Sequence, residues 1–494
     1  MSVRKQIKRL GKDTLFYGLG RSVQKFIGFF LFPIYTRILT QEDFGTQDLV
    51  LTAITIMSYF LILGLDSATA RHYYDAETEE EKRSILSTWL WFEILISIPV
   101  VFLLILYAEP ICELIFTDSQ LAPYFRLGVA ILPFSLISSV SLLTLRLKFQ
   151  SKRFSIVTVS SVLVQALASI ALVVYYRLGI TGVFLASLIT NIYLAIIGMV
   201  FTYRNFQLVL KISWLKPLLM FGVPLVPASI SLWVMNYSNR YFLIRFTSLS
   251  DIGIYSVGAR VASIVILIIT AFKTAWGPFA YSLLKDQKIA ERTYSSALTY
   301  FLLITMVGTV GLSIFGRELI VILATPAYEQ SAFLVPWLCY AAIAWGCVYI
   351  VGIGYGIAKK SYHTTISTLL AALVTIGLNF LLISTWGIIG AAISTMIGNI
   401  TALVYSYFLG QHYFTVQYDY RRVFSLVLLA SVTIAAGLYI DLTLSTWSIE
   451  NLIYKLLLFS AFCLSLFLLK IIRRYEINVI RGFMITKLRG IVTN

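Results

Sequence analysis

The sequence predicts an all-α polytopic membrane protein of about 14 transmembrane helices, built as two six-helix lobes in a parallel pseudo-two-fold repeat plus two C-terminal helices. Three observations predict this class. Of the 494 residues, 59% are hydrophobic and only 13% are charged, whereas a soluble domain has about a quarter of its residues charged. The apolar runs are long and continuous rather than alternating, which favours helices over a membrane β-barrel. Two segments also repeat at one fixed offset.

Each predicted span contains the roughly 20 mostly apolar residues needed to cross a hydrocarbon core about 30 Å thick. The spans lie near 13–38, 45–65, 84–106, 124–145, 154–176, 179–203, 214–238, 252–272, 294–315, 331–353, 362–383, 386–409, 423–440 and 451–472. No polar interval between them is long enough for a soluble domain.

The internal repeat occurs at an offset of 208 residues. The segment TRILTQEDFGTQD matches IRFTSLSDIGIYS, and LGITGVFLASLITNI matches WGIIGAAISTMIGNI without a gap. The repeat predicts lobes at 1–206 and 207–412, followed by two additional helices and a basic tail at 413–494. Six is an even number, so both lobes enter the membrane in the same orientation and their pseudo-two-fold axis lies along the membrane normal. Gly18 and Gly20 in span 1, and Pro224 and Pro227 in span 7, predict interrupted helices at corresponding positions.

Lysine and arginine concentrate on one side of this topology. With the amino terminus inside, the inside segments contain 29 of the 39 basic residues. The outside loops or their edges contain Arg37, Arg126, Arg177, Arg245, Arg317 and Lys455. Cytoplasmic loops carry the excess of basic residues, so both termini are predicted to be cytoplasmic. The net charge of +16 then indicates topology and attraction to anionic lipid rather than nucleic-acid binding.

Four cations fall within or at the end of the predicted spans: Arg21, Lys25, Arg240 and Arg260. A charge at the centre of a membrane helix costs about 2.5–3.5 kcal/mol. Arg21 and Lys25 are four residues apart and share one helix face. The four predict a cationic chamber that binds an anion. One alternative is that Arg21 and Arg240 snorkel to the interfaces.

A second alternative is internal pairing of these cations with Glu93, Asp48 or Asp66, the acidic residues of spans 2 and 3. The same three acids are candidates for binding a coupling proton or sodium ion. The membrane potential alone favours outward movement of an anion by about 2.3 kcal/mol per charge per 100 mV. No Walker loop occurs in the sequence, which argues against ATP hydrolysis by this chain.

The sequence predicts no catalytic residues, no metal site and no cofactor, and therefore not an enzyme. The three histidines are far apart, and the four cysteines have no metal-ligand spacing. Three of these cysteines sit in apolar spans and one near an outer edge, which indicates packing. They are Cys112, Cys339, Cys347 and Cys463.

The segment FLFPIYTRILTQEDFGTQDLVLT, with its TRxLxxxDFG pattern after span 1, resembles the polysaccharide and oligosaccharide flippases of the multidrug, oligosaccharidyl-lipid and polysaccharide exporter superfamily. The 6 + 6 + 2 helix plan, the GITG and GIIG starts of spans 6 and 12, and the basic loop LRLKFQSKRF extend the resemblance. It implies two helical lobes that move a polyprenyl-pyrophosphate-linked oligosaccharide from the inner to the outer leaflet by alternating access. The implied location is the cytoplasmic membrane of a prokaryote, with membrane lipid and other polysaccharide-assembly proteins as partners.

Related flippases of lipid-linked peptidoglycan precursors carry cavity cations on helices 1 and 8, the helices that contain Arg21, Lys25 and Arg260 here. This chain lacks an obvious mid-membrane cation on span 2, which sets it apart from that branch. The alternatives are a drug and cation antiporter of the same superfamily, whose chamber would be acidic, and a membrane-embedded polysaccharide polymerase or glycosyltransferase. The polymerase would carry a large outer loop, whereas the outer intervals here are short. Nothing in the sequence resembles the selectivity filter of a channel.

Overall fold

The computed structural model describes residues 31–444 and 448–472, and throughout these residues every regular element is helical. Helix α1 covers residues 31–38. The other α-helices are α2 Gln41–Ile62, α3 Leu65–His72, α4 Glu79–Leu106, α5 Ala108–Phe116, α6 Ala122–Ala130, α7 Leu132–Leu147, α8 Ser151–Ser169, α9 Gly179–Thr202, α10 Ile212–Gly222, α11 Val226–Tyr237, α12 Asn239–Phe246, α13 Leu249–Ser282, α14 Gln287–Ile314, α15 Gly316–Leu323, α16 Val335–Val351, α17 Ile353–Ile357, α18 Tyr362–Leu378, α19 Ser384–Tyr413, α20 Tyr420–Thr443 and α21 Ile449–Leu468. Short 3₁₀ and π segments join several of them.

Twelve of the described helical segments are long and apolar enough to cross a membrane. One of them, Tyr362–Tyr413, has 52 residues, about 78 Å at the rise of an α-helix, against a hydrocarbon core about 30 Å thick. It therefore corresponds to predicted spans 11 and 12, and the non-helical Gly387 lies at the start of span 12. Predicted span 1 falls mainly outside the described residues. The all-helical membrane class is confirmed, and the total of 14 spans stays a prediction.

Two compact units make up the structure. The first comprises Met1–Ser256, described from residue 31 onward, together with Leu323–Thr325 and Ile376–Ala391. The second comprises Val257–Ile322, Pro326–Thr375 and Ala392–Asn494, described to residue 472 except for 445–447. The lobe boundaries inferred from the repeat are a separate division and stay a prediction.

The offset of 208 residues recurs in the backbone. Thr40 caps α2 in a reciprocal capping box with Asp43, whose backbone N–H donates to the Thr40 hydroxyl at 3.1 Å. The equivalent pair at the start of α13 is Ser248 and Asp251, where the Asp251 N–H donates to the Ser248 hydroxyl at 3.2 Å. These caps satisfy backbone donors that have no partner in the first helical turn. They account for the polar residues that recur in the repeated segment.

The second repeated segment shows the same correspondence. A π-helical stretch, Ile170–Tyr175, precedes Gly179, whose φ is +56°. A second π-helical stretch, Asn379–Ile383, precedes Gly387, whose φ is +54°. Glycine adopts this left-handed conformation without the steric penalty of a side chain. The positive φ at both matched positions therefore explains why each is a glycine.

Gly45 and Gly253, which also match at this offset, make a reciprocal close contact inside the first unit. A Cβ added at Gly45 would lie 1.8 Å from the Leu249 carbonyl oxygen, and one at Gly253 would lie 2.0 Å from that of Gln41. Leu249 and Gln41 are themselves 208 residues apart, so the two segments approach each other with local two-fold symmetry. Only glycine allows the backbones to come so close.

Predicted span 7 is interrupted as its prolines indicate. Helix α10 ends at Gly222, a 3₁₀ turn covers Val223–Leu225, and α11 begins at Val226. The break packs against the left-handed Gly64 between α2 and α3, where an added Cβ would lie 2.5 Å from the Gly222 carbonyl oxygen. Gly18 and Gly20 of span 1 lie outside the described residues.

Candidate functional site

Arg240, near the start of α12 in the first unit, is almost completely buried, with 6% of its surface exposed. Its Nε donates to Asp48 Oδ2 at 2.7 Å. One terminal nitrogen donates to the Asn236 carbonyl oxygen and to Asn239 Oδ1, both at 2.7 Å. A buried charge is tolerated only when it is paired and hydrogen-bonded, and Arg240 meets both conditions. Of the alternatives open from the sequence, this arrangement corresponds to internal pairing.

Aromatic rings complete the environment of Arg240. Its guanidinium carbon lies 4.9 Å from the centroid of the Tyr255 ring and 5.4 Å from that of Tyr237. Asn239 donates to the Tyr255 hydroxyl at 2.6 Å, which fixes that ring. The planar guanidinium suits both stacking and forked hydrogen bonding. Asp48 is the more accessible member of the ion pair, with 27% of its side chain exposed.

Arg260 lies in the second unit, one turn beyond the start of that unit on α13, and is half-buried. Ser263, Thr270 and Thr274 follow it at helical spacing, and all three are exposed. With Leu267, they form one stripe along α13, because residues three and four apart share a face. The helix itself is apolar enough to cross a membrane. The stripe combines three hydroxyl groups with one leucine, and Arg260 at its head is the charged group that favours an aqueous path over lipid.

Lys273 also belongs to α13, although it is one of the 29 basic residues that the predicted topology assigns to the inside segments. The predicted span ended at 272, whereas the helix continues to Ser282. Lys273 is exposed, and its Nζ donates to the Tyr349 hydroxyl at 2.7 Å. Within the described parts of the chain, no carboxylate forms an ion pair with it. The apolar run ends at Lys273, but the helix does not end there.

The three acidic candidates differ in their surroundings. Asp48 pairs with Arg240 as described, while Asp66 is exposed on α3. Glu93 is buried in α4, and its Oε1 accepts a hydrogen bond from the Trp89 indole at 2.7 Å. Its Oε2 has no hydrogen-bond partner, and Glu93 has no ion pair with any basic residue that the structure describes. A carboxyl group in this setting is stable as a neutral acid, because an unpaired buried charge is far more costly.

Arg21 and Lys25 lie outside the described residues, so the structure supplies no contacts for them. Of the described candidate residues, Arg240, Asp48, Glu93 and Asp66 belong to the first unit and Arg260 to the second. The described residues contain no group of three or more His, Cys, Asp or Glu side chains able to hold a metal ion. All four cysteines are free thiols.

A buried ionic cluster in the second unit was not anticipated from the sequence. Lys455 of α21 is fully buried, and its Nζ donates to Glu318 Oε1 at 2.5 Å and to Asp441 Oδ1 at 2.6 Å. Arg317 extends the cluster by pairing with Glu329 and by donating to the Asp441 carbonyl oxygen at 2.6 Å. The sequence had suggested an outer edge for both cations. Their partners lie 12 to 137 residues away, which a count of charges along the chain cannot reveal.

Comparison with solved structures identifies the fold. A lipid II flippase, MurJ, in an inward closed conformation superposes with a TM-score of 0.73 at 16% identity, covering 93% of this chain and all of that one. An inward-facing multidrug resistance transporter of the MATE family, in the MOP superfamily, gives a TM-score of 0.67 at 14% identity and covers 82% of this chain and 95% of that one. At these identities the likeness establishes the fold.

Sequence comparison identifies relatives among polysaccharide-related membrane proteins. A protein of the Lsg locus of Haemophilus influenzae is 24% identical over 301 residues, which are 59% of this chain and 71% of that protein. The succinoglycan biosynthesis transport protein ExoT of Rhizobium meliloti is 27% identical over 237 residues, 47% of this chain and 45% of its own length. The polysaccharide biosynthesis protein family matches residues 34–333, more than half of the chain. The resemblance predicted from the sequence is thereby confirmed, and the chain is a multi-pass membrane protein that belongs to the polysaccharide biosynthesis protein family.

Proposed function

We propose that the chain is a flippase that moves a polyprenyl-pyrophosphate-linked oligosaccharide from the inner to the outer leaflet of the cytoplasmic membrane by alternating access. The family, the MurJ-like fold and a relative named as a polysaccharide transport protein support a membrane transporter of this kind. The observation that carries the proposal is the exposed polar stripe on α13, with Arg260 at its head.

The chemistry of the head group explains why such a stripe is needed. A pyrophosphate cannot cross hydrocarbon without its charges being compensated, since an unpaired charge in an apolar medium is prohibitively costly. Arginine binds phosphate oxygens through two parallel hydrogen bonds, and lysine supplies a compact positive charge. In the proposal, Arg21, Lys25 and Arg260 compensate the pyrophosphate, and the polyprenyl chain stays in lipid.

Arg240 has a different role in this proposal. Its hydrogen bonds to Asp48, Asn236 and Asn239 already use its forked head. Binding a phosphate would require these bonds to break and would leave Asp48 without its partner. Arg240 therefore acts through the ion pair, as a residue that holds α2 and α12 together, and contacts no substrate in the state described.

Glu93 is the acid best suited to carry a coupling proton. Its carboxyl group is buried in a predicted span, it accepts one hydrogen bond from Trp89, and its second oxygen is unpartnered. Asp48 is already neutralised by Arg240, and Asp66 is exposed. In this proposal the membrane potential drives the anion outward, and Glu93 exchanges a proton during the cycle.

Deletion of the gene in the source organism tests the function. We expect loss of the surface polysaccharide, with lipid-linked repeat units retained on the inner leaflet. Complementation by the wild-type chain should restore export, and the Arg21→Ala, Lys25→Ala, Arg260→Ala triple variant at matched protein level should not. A polymerase would instead leave single repeat units on the outer leaflet, and a drug antiporter would leave the polysaccharide unchanged and alter drug sensitivity. Either result would contradict the proposal.

A further inference from the structure

We propose that Trp345, Tyr349 and Lys273 form a sugar-docking station in the second unit that holds the oligosaccharide part of the transported head group. This inference rests on the proposed function, because it assigns a binding site for one portion of the same substrate. It names aromatic residues that composition could not single out among 30 tyrosines and 9 tryptophans.

The three side chains are already organised with respect to each other. The Lys273 Nζ lies 2.7 Å from the Tyr349 hydroxyl and 4.0 Å from the centroid of its ring. The Trp345 and Tyr349 rings meet edge to face, with centroids 5.7 Å apart and planes at 77°. The Trp276 indole donates to the Tyr349 carbonyl oxygen at 3.0 Å, which anchors this turn of α16 to α13. Two packed aromatic rings and an ammonium group therefore share one surface.

Trp345 and Tyr349 belong to a helix that is mostly buried in protein. In the span Pro326–Ile357, which contains α16, 72% of the apolar window is buried, compared with 22% in α21. Trp345 and Tyr349 lie four residues apart and keep part of their surface accessible. Residues at this spacing share a face. Large amphipathic rings on the accessible face of a mostly buried helix are positioned for a ligand with both apolar and polar surface.

A sugar has this combination of properties. The ring faces of tryptophan and tyrosine can cover the C–H face of a sugar ring, while the Lys273 ammonium and the Tyr349 hydroxyl bond to its oxygens. Lys273 has no ion-pair partner in the described residues, so its hydrogen-bonding capacity is only partly used.

The distance along α13 separates this station from the phosphate site. Lys273 comes thirteen positions after Arg260, about 20 Å along the helix. A pyrophosphate is too short to contact both residues, whereas an attached oligosaccharide is long enough to reach the station, which lies on a neighbouring face of α13 rather than on the stripe itself. We therefore expect Arg260 to bind the pyrophosphate and the station to bind the oligosaccharide of one head group.

Binding by the full-length protein in lipid nanodiscs tests this assignment with two probes. The first is undecaprenyl pyrophosphate, which has no sugar, and the second is the lipid-linked oligosaccharide pool extracted from source cells that lack the gene. We expect Trp345→Ala, Tyr349→Ala and Lys273→Ala to weaken binding of the oligosaccharide pool about tenfold and to leave undecaprenyl pyrophosphate binding unchanged. Tyr349→Phe and Lys273→Gln conserve packing and should show the same selectivity with a smaller loss.

Matched controls are Tyr439→Ala and Lys288→Ala, which remove an exposed tyrosine and an exposed lysine elsewhere in the second unit. Both controls should bind the two probes as the wild type does. Equal weakening of both probes, or unchanged binding of the oligosaccharide pool by the station variants, overturns the station while leaving the proposed function intact. If the wild type binds neither probe, both the proposed function and the station are overturned.

Discussion

Arg240 in the first unit and Lys273 in the second are both cations, yet their surroundings are opposite. Arg240 is buried, paired with Asp48 and stacked near two tyrosine rings. Lys273 is exposed, contacts Tyr349, and has no carboxylate partner in the part of the chain that the structure describes. The difference separates cations that hold the fold from cations that remain available to an anionic or polar ligand. The position of a cation relative to the predicted spans does not show which of these two roles it has.

The comparison predicts that the stability cost of removing a cation follows its burial and pairing. Lys455 is the extreme case, because it is fully buried between Glu318 and Asp441. Lys455→Ala would leave two buried carboxylates without their shared partner, and we expect a loss of about 3–5 kcal/mol in the free energy of unfolding. Thermal or denaturant unfolding in detergent measures it. Replacing the cluster by neutral residues, with Lys455→Met, Glu318→Gln and Asp441→Asn together, should recover most of the loss.

An exposed lysine supplies the control for this prediction. Lys152→Ala removes a solvent-exposed charge on α8 and should change stability by no more than about 0.5 kcal/mol. If Lys455→Ala proves as stable as Lys152→Ala, burial does not govern the role of the cations, and the comparison fails at its clearest point.

Arg240→Ala should have the second-largest effect on stability. We expect the free energy of unfolding to fall by about 2 kcal/mol, less than for Lys455→Ala, since Asp48 keeps some access to solvent. A double-mutant cycle with Asp48→Asn isolates the coupling between the two side chains. We expect the double variant to lose less stability than the sum of the losses in the two single variants. Export per folded molecule should stay near the wild-type value. Normal stability with lost export would move Arg240 into the substrate path.

Glu93→Gln tests the buried acid that forms no ion pair among the described residues. Glutamine has nearly the same shape and keeps an acceptor for the Trp89 indole, so we expect stability within about 1 kcal/mol of the wild type. Export should lose its dependence on the proton gradient while the dependence on membrane potential remains. Transport measured in vesicles with each gradient imposed separately distinguishes the two. An unchanged response to the proton gradient would exclude Glu93 as the coupling acid.

Arg260→Ala should have only a small effect on stability, below about 1 kcal/mol, because the residue is half-buried at the head of an exposed stripe. The same substitution should greatly weaken substrate binding. Losing one charge-assisted phosphate contact weakens binding by about 1.5–3 kcal/mol, roughly ten- to a hundredfold. Binding of undecaprenyl pyrophosphate to the folded variant measures this, and Arg260→Lys should retain more affinity than Arg260→Gln. Equal affinity in all three would remove Arg260 from the site.

Much of the fold could be predicted because its signals are local or periodic. Apolar run length identifies the spans, and the matched Gly179 and Gly387 mark equivalent backbone positions with positive φ. The caps at Thr40 and Ser248 follow from residue type and spacing. Each of these features depends on a few neighbouring residues, and sequence patterns record such neighbours directly.

The candidate site was harder to predict because charge partners are set by tertiary packing. Asp48 and Arg240 are 192 residues apart, and the sequence could only offer their pairing as one alternative. Lys455 looked like an outer-edge cation until its partners on α15 and α20 were known. Tyr349 gave no signal, since aromatic residues are common at membrane interfaces for other reasons. Which face of a helix meets protein, water or lipid is a property of the assembled structure.

The most direct test of the central claim is the rate at which vesicles containing the purified chain flip the lipid-linked oligosaccharide to the opposite leaflet. The variants to compare are the Arg21→Ala, Lys25→Ala, Arg260→Ala triple and the Arg240→Ala, Asp48→Ala double, each at matched folded protein. Exposure of the glycan to an impermeant sugar-cleaving enzyme reports the flipped fraction. We expect the triple variant to fall to the rate of protein-free vesicles and the double variant to stay near the wild-type rate. Full transport by the triple variant would contradict the central claim.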